Sequence, residues 1–237
     1  MIATVVNSAA IVLGGLIGSL FGEKIGERYT KPLLTAMAFV VGIIGIQGAI
    51  GTSNILIVVI CIVLGLVAGI ALRLDDRISG LGESVKSRLS GTKLCQGRFS
   101  DAIVTSSLLF CVGSMAILGS IQAGLNRDYS TLFTKAVIDG VSAVAFSAAL
   151  GPGVILSAVP VFIIQGAITL LAGVAEPYLT GEIITEMSAV GGPVFLAMSV
   201  NMLELRQERI KVGDMIPAIL MPIVYFPAAE LLGRLIG

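Results

Sequence analysis

The sequence predicts an all-α fold, a polytopic membrane bundle of about eight transmembrane helices, and three observations predict it. Hydrophobic residues make up 56% of the 237-residue chain and charged residues only 13%. With the 29 glycines the apolar share reaches about two thirds, against ~45–50% in a soluble domain, and the mean hydropathy is +1.01. The charges are also grouped, leaving runs of ~17–20 residues almost free of them, the length that crosses ~30 Å of hydrocarbon. These observations exclude a secreted disulfide scaffold, a disordered tail and a nucleic-acid-binding module. Residues 1–237 read as a single integral membrane domain.

Eight apolar segments follow in order: 2–21, 33–50, 54–72, 102–122, 132–150, 154–175, 183–203 and 215–236. The first begins without a basic leader, since the first positive charge is Lys24, so it reads as a retained span and not a cleaved signal peptide. The fifth and sixth are parted only by Gly151-Pro152-Gly153, a sequence suited to a tight hairpin. Fusing those two would leave seven spans. The seventh carries Gly191-Gly192-Pro193 near its middle, where a break in the helix is expected. Pro160 interrupts the sixth, and Pro217, Pro222 and Pro227 punctuate the eighth.

Charge placement favours eight spans over seven. With the N-terminus outside, 12 of the 15 Lys and Arg residues fall in inward loops, leaving only Arg127, Lys135 and Arg234 on the outer side. Fusing the fifth and sixth segments would expel Arg206, Arg209 and Lys211, against the positive-inside rule. Both termini are therefore expected outside. The long inward loop 73–101 holds Leu74, Ile78, Leu81, Val85 and Leu89 at three- and four-residue spacing. An amphipathic helix along the membrane surface fits that spacing, and so does a solvated connector.

Two motifs recur. Leu13-Gly14-x3-Gly18 returns as Leu64-Gly65-x3-Gly69, and the glycine pattern from Val41 to Ile50 returns from Val112 to Ile121. Residues 1–52 and 53–125 thus read as internal repeats, a habit of transporter folds. Glycines four apart, at Gly14, Gly18, Gly22 and Gly26, suit close helix packing or the joining of chains into a homo-oligomer.

Asp139 is the only acid well inside an apolar run. An ionisable group there costs several kcal/mol unless paired, which makes it a functional candidate by default. Lys135 stands one turn away on the same face, so a structural ion pair is the competing reading. Asn7, Gln122 and Glu186 fall toward the outer side with Gln165 nearer the middle, and together with Asn201 they are candidate binding residues. Glu176, Glu182 and Glu186 would make an acidic outer vestibule. The chain has no histidine, and its three cysteines lack metal-ligand spacing, so no metal site, cofactor or catalytic triad is expected.

From residue 99 onward particular motifs stand out: Leu109 to Gly119 with Gln122 and Gly124, then Asp139-Gly140, Gly153-Val154, Gln165-Gly166, Ala189 to Gly192, Asn201 and Lys211-Val212-Gly213. With Asn7 and the early glycines, these resemble the "domain of unknown function 554" family of bacterial integral membrane proteins. Asp214 and Ser114 stand where Asn and Ala are usual in that pattern. The resemblance implies a multi-pass protein of the bacterial cytoplasmic membrane, labelled a transport protein without an agreed substrate. Asp139, Gln165, Asn201 and the Gly191-Gly192 pair belong to the pattern it implies.

The residues are thus expected to serve a secondary transporter of a small solute or ion, coupled to protons or a cation through Asp139. Gln122 and Gln165 would bond the solute, and Gly191–Pro193 would expose backbone groups. A passive oligomeric channel and a membrane scaffold or accessory protein remain open as alternatives. The expected partners are the lipid bilayer and that solute, with no nucleic acid and no enzymatic reaction.

Overall fold

A computed structural model describes residues 1–25, 27–80 and 99–236; they are almost wholly helical, with no strand among them. The helices are α1 (Ile2–Ile25), α2 (Glu27–Ile50), α3 (Ile55–Leu72), α4 (Phe99–Cys111), α5 (Ser114–Leu125), α6 (Ser130–Leu150), α7 (Ala158–Leu170), α8 (Ala172–Ala175), α9 (Gly181–Met202) and α10 (Ile216–Ile236). Tight 3-10 turns at Pro152–Ser157 and Val212–Met215 lead into α7 and α10. Seven of these stretches are each long and apolar enough to cross a membrane, and α4 with α5, bent by 54° at the break between them, makes an eighth if the pair counts as one span.

The fifth and sixth segments are separate spans, as the sequence led us to expect. The turn between them rests on Gly151, whose φ of 97° a side chain would strain, followed at once by Pro152. Asn54 starts α3 by accepting the Leu56 N–H at 3.0 Å. Arg73 ends that helix in the left-handed region.

Glycines pair helices that are distant in sequence. On α1, Gly14, Gly18 and Gly22 meet the carbonyl oxygens of Gly140, Val144 and Ala148 on α6, so the two helices run parallel. On α2, Gly42, Gly45 and Gly48 meet Ser199, Gly192 and Ser188 of α9 in reverse order, an antiparallel pair. Gly65 and Gly69 of α3 lie against Ala218 and Asp214, again antiparallel. Lipid supplies no hydrophobic drive between helices, so such close backbone approach carries much of the association. Ser147 adds a 2.7 Å bond to the Gly15 carbonyl, and Ser199 one of 2.7 Å to that of Ala38.

These directions fix the crossing number. Successive spans alternate, so α3 runs as α1 does; α6 also runs as α1 does, and one crossing must lie between them. The α4–α5 pair supplies it. Phe99 at its start meets Gly153 at the start of the sixth span, and Gly124 near its finish meets Thr169 at the end of that span. The bent pair therefore covers the same depth as residues 152–170.

The break expected at Gly191-Gly192-Pro193 does not occur. α9 is continuous from Gly181 to Met202 and is the central helix, with 72% of its 18-residue apolar stretch buried against 22–44% of the like stretch in the other unbroken spans. Its glycines are used for packing: a Cβ on Gly192 would lie 2.7 Å from the Ala49 nitrogen. Pro193 costs one intrahelical bond, and the neighbouring helices hold the rest of the ladder in register. The interruption falls at Gly113, between α4 and α5, where the sequence shows no proline.

Around α9 the core is aliphatic, with Phe110 and Phe146 packed edge to face at 6.4 Å between ring centres. Residues 74–80 are helical and half-bury Ile78 against the core, as the amphipathic spacing predicts. The remainder of that spacing, Leu81, Val85 and Leu89, lies outside the described residues, as do Gly26 and Cys95.

Candidate functional site: a buried polar cluster between three spans

Asp139 stands nine residues into α6, ~14 Å from its Ser130 end at ~1.5 Å per residue. It is 5% exposed and forms an ion pair with Lys135, one turn away and 6% exposed. The competing structural reading of the sequence is therefore realised, but the pair does not stand alone. The Asn7 amide nitrogen on α1 donates to Asp139 Oδ2 at 3.0 Å and to Gln165 Oε1 on α7 at 3.2 Å. Asn7 thus links the carboxylate on α6 to the amide on α7, and three spans meet in one hydrogen-bond chain.

The donors and acceptors in this chain can be ordered. A carboxylate accepts only, so Asn7 must turn its NH2 toward Asp139, and the same NH2 then requires the Gln165 oxygen. That leaves the Asn7 oxygen and the Gln165 nitrogen without partners among the described residues, although both residues are fully buried. Three hydroxyls nearby in the sequence share that condition: Thr4, about a turn before Asn7 on α1, Ser8, next to it, and Thr169, one turn beyond Gln165 on α7. An unsatisfied buried polar atom costs ~1–3 kcal/mol, so five such atoms on two facing helices form a site with unused binding capacity.

Sequence reasoning missed Thr4, Ser8 and Thr169. Their spacing from Asn7 and Gln165 was visible, but hydroxyls in apolar helices commonly bond their own preceding turn. Ser106 does so to the Ala102 carbonyl and Ser120 to that of Ala116.

The other candidates lie elsewhere. Gln122 accepts from Thr131 at 2.8 Å, across the turn that joins α5 to α6. Glu186 is 1% exposed and accepts from the Thr52 hydroxyl at 2.7 Å and from the Ser53 N–H and hydroxyl at 2.8 and 2.9 Å. It clamps the α2–α3 turn to α9 and so does not line the expected vestibule, whose other acids, Glu176 and Glu182, are exposed. Asn201 brackets Ile210, donating to its carbonyl and accepting its N–H, both at 2.9 Å.

The opposite end of the bundle is fastened by charge. The Asp75 N–H donates to Asp214 Oδ1, and the Gly213 N–H donates to Asp75 Oδ1, each at 2.9 Å. Either Asp or Asn at position 214 offers that oxygen, which accounts for the departure noted in the sequence. Arg209 pairs with Asp101 and lies 3.8 Å from Asp75, and Lys211 pairs with Asp76 at 2.8 Å. The hydrogen bond and charge of Lys211 hold the exposed Asp76 carboxyl below the usual range.

An apolar cavity of about 660 Å³ lies beside the Gly113 break, lined among others by Ile78, Val112, Pro160, Met187 and Ile219. Neither Asp139 nor its partners line it. Among the described residues no group of His, Cys, Asp and Glu side chains could hold a metal ion.

Fold and cluster together define a polytopic helical membrane protein with a polar centre buried among its spans. The chain belongs to the family described as "Protein of unknown function (DUF554)", whose model matches residues 2–227. It is similar to the uncharacterized membrane protein YdfK of Bacillus subtilis (strain 168), at 29% identity over 226 residues and 94% of each chain. It is also similar to the uncharacterized protein YqgA of Escherichia coli (strain K12), at 26% identity over 223 residues, 93% of this chain and 94% of that one. No solved structure matches.

Proposed function

We propose that the protein is a secondary transporter of a small solute or ion, coupled to protons or a cation through Asp139. One observation carries this reading: a carboxylate in the middle of a membrane span, bonded by Asn7 of α1 and through it linked to Gln165 of α7, with unused hydrogen-bonding groups beside that chain. Intramembrane acids at helix junctions commonly serve ion or solute paths. The broken α4–α5 span supports the reading further, since interrupted helices build many transporter folds. Asn7 and Gln165 are the solute-bonding groups in this scheme, with Lys135 holding the Asp139 charge between transport events. Gln122 and Gly191–Pro193 have no part in it. The membrane is the bacterial cytoplasmic membrane, with both termini outside and the Arg209 and Lys211 end inside.

Proteoliposomes loaded with a pH-sensitive dye and challenged with a panel of small solutes and alkali salts test the coupling. Proton movement driven by one of them, and lost in Asp139→Asn, is the expected result. Solute flux that Asp139→Asn leaves unchanged removes Asp139 from the mechanism.

A further inference from the structure

Of the six unpartnered buried side-chain atoms among the described residues, five fall on α1 and α7, and the sixth is the Ser107 hydroxyl of α4. Thr4, Asn7 and Ser8 lie within little more than one turn of α1; Gln165 bonds Asn7 from α7, Thr169 stands one turn beyond Gln165, and Met1 also reaches Gly166. From the N-terminal end of α1 inward, the order is Thr4 and Thr169, then Asn7 and Gln165, then Asp139. This is a polar file along one helix seam, leading from the end of the bundle to the buried acid. In the present conformation the seam is closed, with each of the five atoms shielded.

The two flanks of α1 differ in kind. Toward α6 it is fastened by backbone contact at Gly14, Gly18 and Gly22 and by the Ser147 bond to Gly15. Toward α7 the fastening is lighter: one side-chain hydrogen bond from Asn7 to Gln165 and contacts of Gly15 with Ile155 and of Met1 with Gly166, beside polar atoms whose closure forfeits hydrogen bonds. We propose that the α1–α7 seam opens to water and forms the hydrophilic access path from the N-terminal end to Asp139, while α1 and α6 move as one unit. Opening gives every unpartnered atom an aqueous partner, so the polar groups that destabilise the closed seam stabilise the open one. The path admits water and small hydrophilic solutes. Its purpose rests on the transport reading, but its test reads accessibility and not flux.

Ser8→Cys is a conservative change that places a thiol on the seam. In the otherwise native chain, reconstituted in vesicles, it is treated with a membrane-impermeant, positively charged methanethiosulfonate, and modification at that position is read by mass spectrometry. The reference is Val137→Cys on the outward face of α6, 68% exposed in the isolated bundle and facing hydrocarbon. Modification of Ser8→Cys is expected to be about tenfold faster or more, because a hydrated thiolate forms readily and is the nucleophile that attacks the reagent's sulfur, releasing methanesulfinate. Thr169→Cys, nearer the end of the seam, carries the same expectation. Adding Thr4→Val and Thr169→Val keeps the shape and removes two hydroxyls, and it should slow Ser8→Cys by a similar factor. Seam cysteines that react no faster than Val137→Cys, or a Ser8→Cys rate indifferent to the valines, overturn the proposal. Fast labelling in vesicles that move no solute leaves the seam standing and removes the transport reading; flux through a chain whose seam cysteines stay unlabelled does the reverse.

Discussion

Replacing Lys135 with methionine tests the energetics of the cluster directly. Methionine has nearly the length of lysine and fills its place, but leaves the Asp139 charge with only the Asn7 amide. Both side chains of the pair are 7% exposed, so solvent screens them little. Two unit charges ~4 Å apart at an effective dielectric of ~20 attract by ~4 kcal/mol, and breaking a buried pair from one side costs ~3–5 kcal/mol. The Asn7 bond offsets little of this, since interhelical hydrogen bonds in membranes average only ~0.6 kcal/mol. Lys135→Met should therefore destabilise the protein by about 3 kcal/mol. Adding Asp139→Asn removes the stranded charge and should restore stability to within about 1 kcal/mol of the native chain. Equilibrium unfolding in mixed detergent micelles of the four proteins gives the coupling as a double-mutant cycle. Additive effects, or a Lys135→Met loss below about 0.5 kcal/mol, would refute the reasoning, because they would mean the charges are already solvated.

Other changes probe the frame. Gly18→Val drives a side chain into the Val144 carbonyl, a backbone atom that cannot swing aside. The folded, monodisperse species should vanish from gel filtration, whereas Gly173→Val, in open space on α8, should leave it intact. Glu186→Ala strands the Thr52 and Ser53 donors and should cost about 2–3 kcal/mol in the same unfolding assay. Asp214→Asn keeps the oxygen that accepts the Asp75 N–H and should be nearly silent, while Asp214→Ala should lose about 1–2 kcal/mol. Asp76 has its folded pKa lowered first by the Lys211 hydrogen bond and then by the Lys211 charge. Its stabilising contribution is thus fully present above the ordinary carboxylate range and disappears as pH falls through the lowered value. Carboxyl NMR should show Asp76 titrating below a free aspartate, and Lys211→Met should move it back up; no movement would sink the assignment.

Apolar run lengths and basic loops made eight spans legible, because those signals depend on composition alone. Asp139 was equally legible, since one acid in an apolar stretch stands out without any knowledge of its neighbours. Its partners were harder. Asn7 and Gln165 were marked as polar residues, yet nothing in the sequence said that they converge, because α1 and α7 meet only through tertiary packing. The misplaced break is the most instructive case. Gly-Gly-Pro at 191–193 has strong local propensity to interrupt a helix, but α2 packs onto Gly192 and Val112 onto Gly191, and α9 stays continuous. Gly113, one glycine among 29, carries no such local signal. The close helix packing expected of spaced glycines was legible: Gly14 and Gly18, and likewise Gly65 and Gly69, each set a helix against a partner backbone.

The tightest helix pairs have a consequence for synthesis. Gly14 and its contact at Gly140 are 126 residues apart, so at ~5–20 residues per second the first span waits ~6–25 s before its partner leaves the ribosome. The second and third spans wait as well, for α9 and α10. During that interval the nascent N-terminal half sits in the membrane with its glycine grooves unfilled. An insertase or a chaperone of the lipid phase would find its client there, and a ribosome stalled after α5 would leave a fragment that cannot assemble.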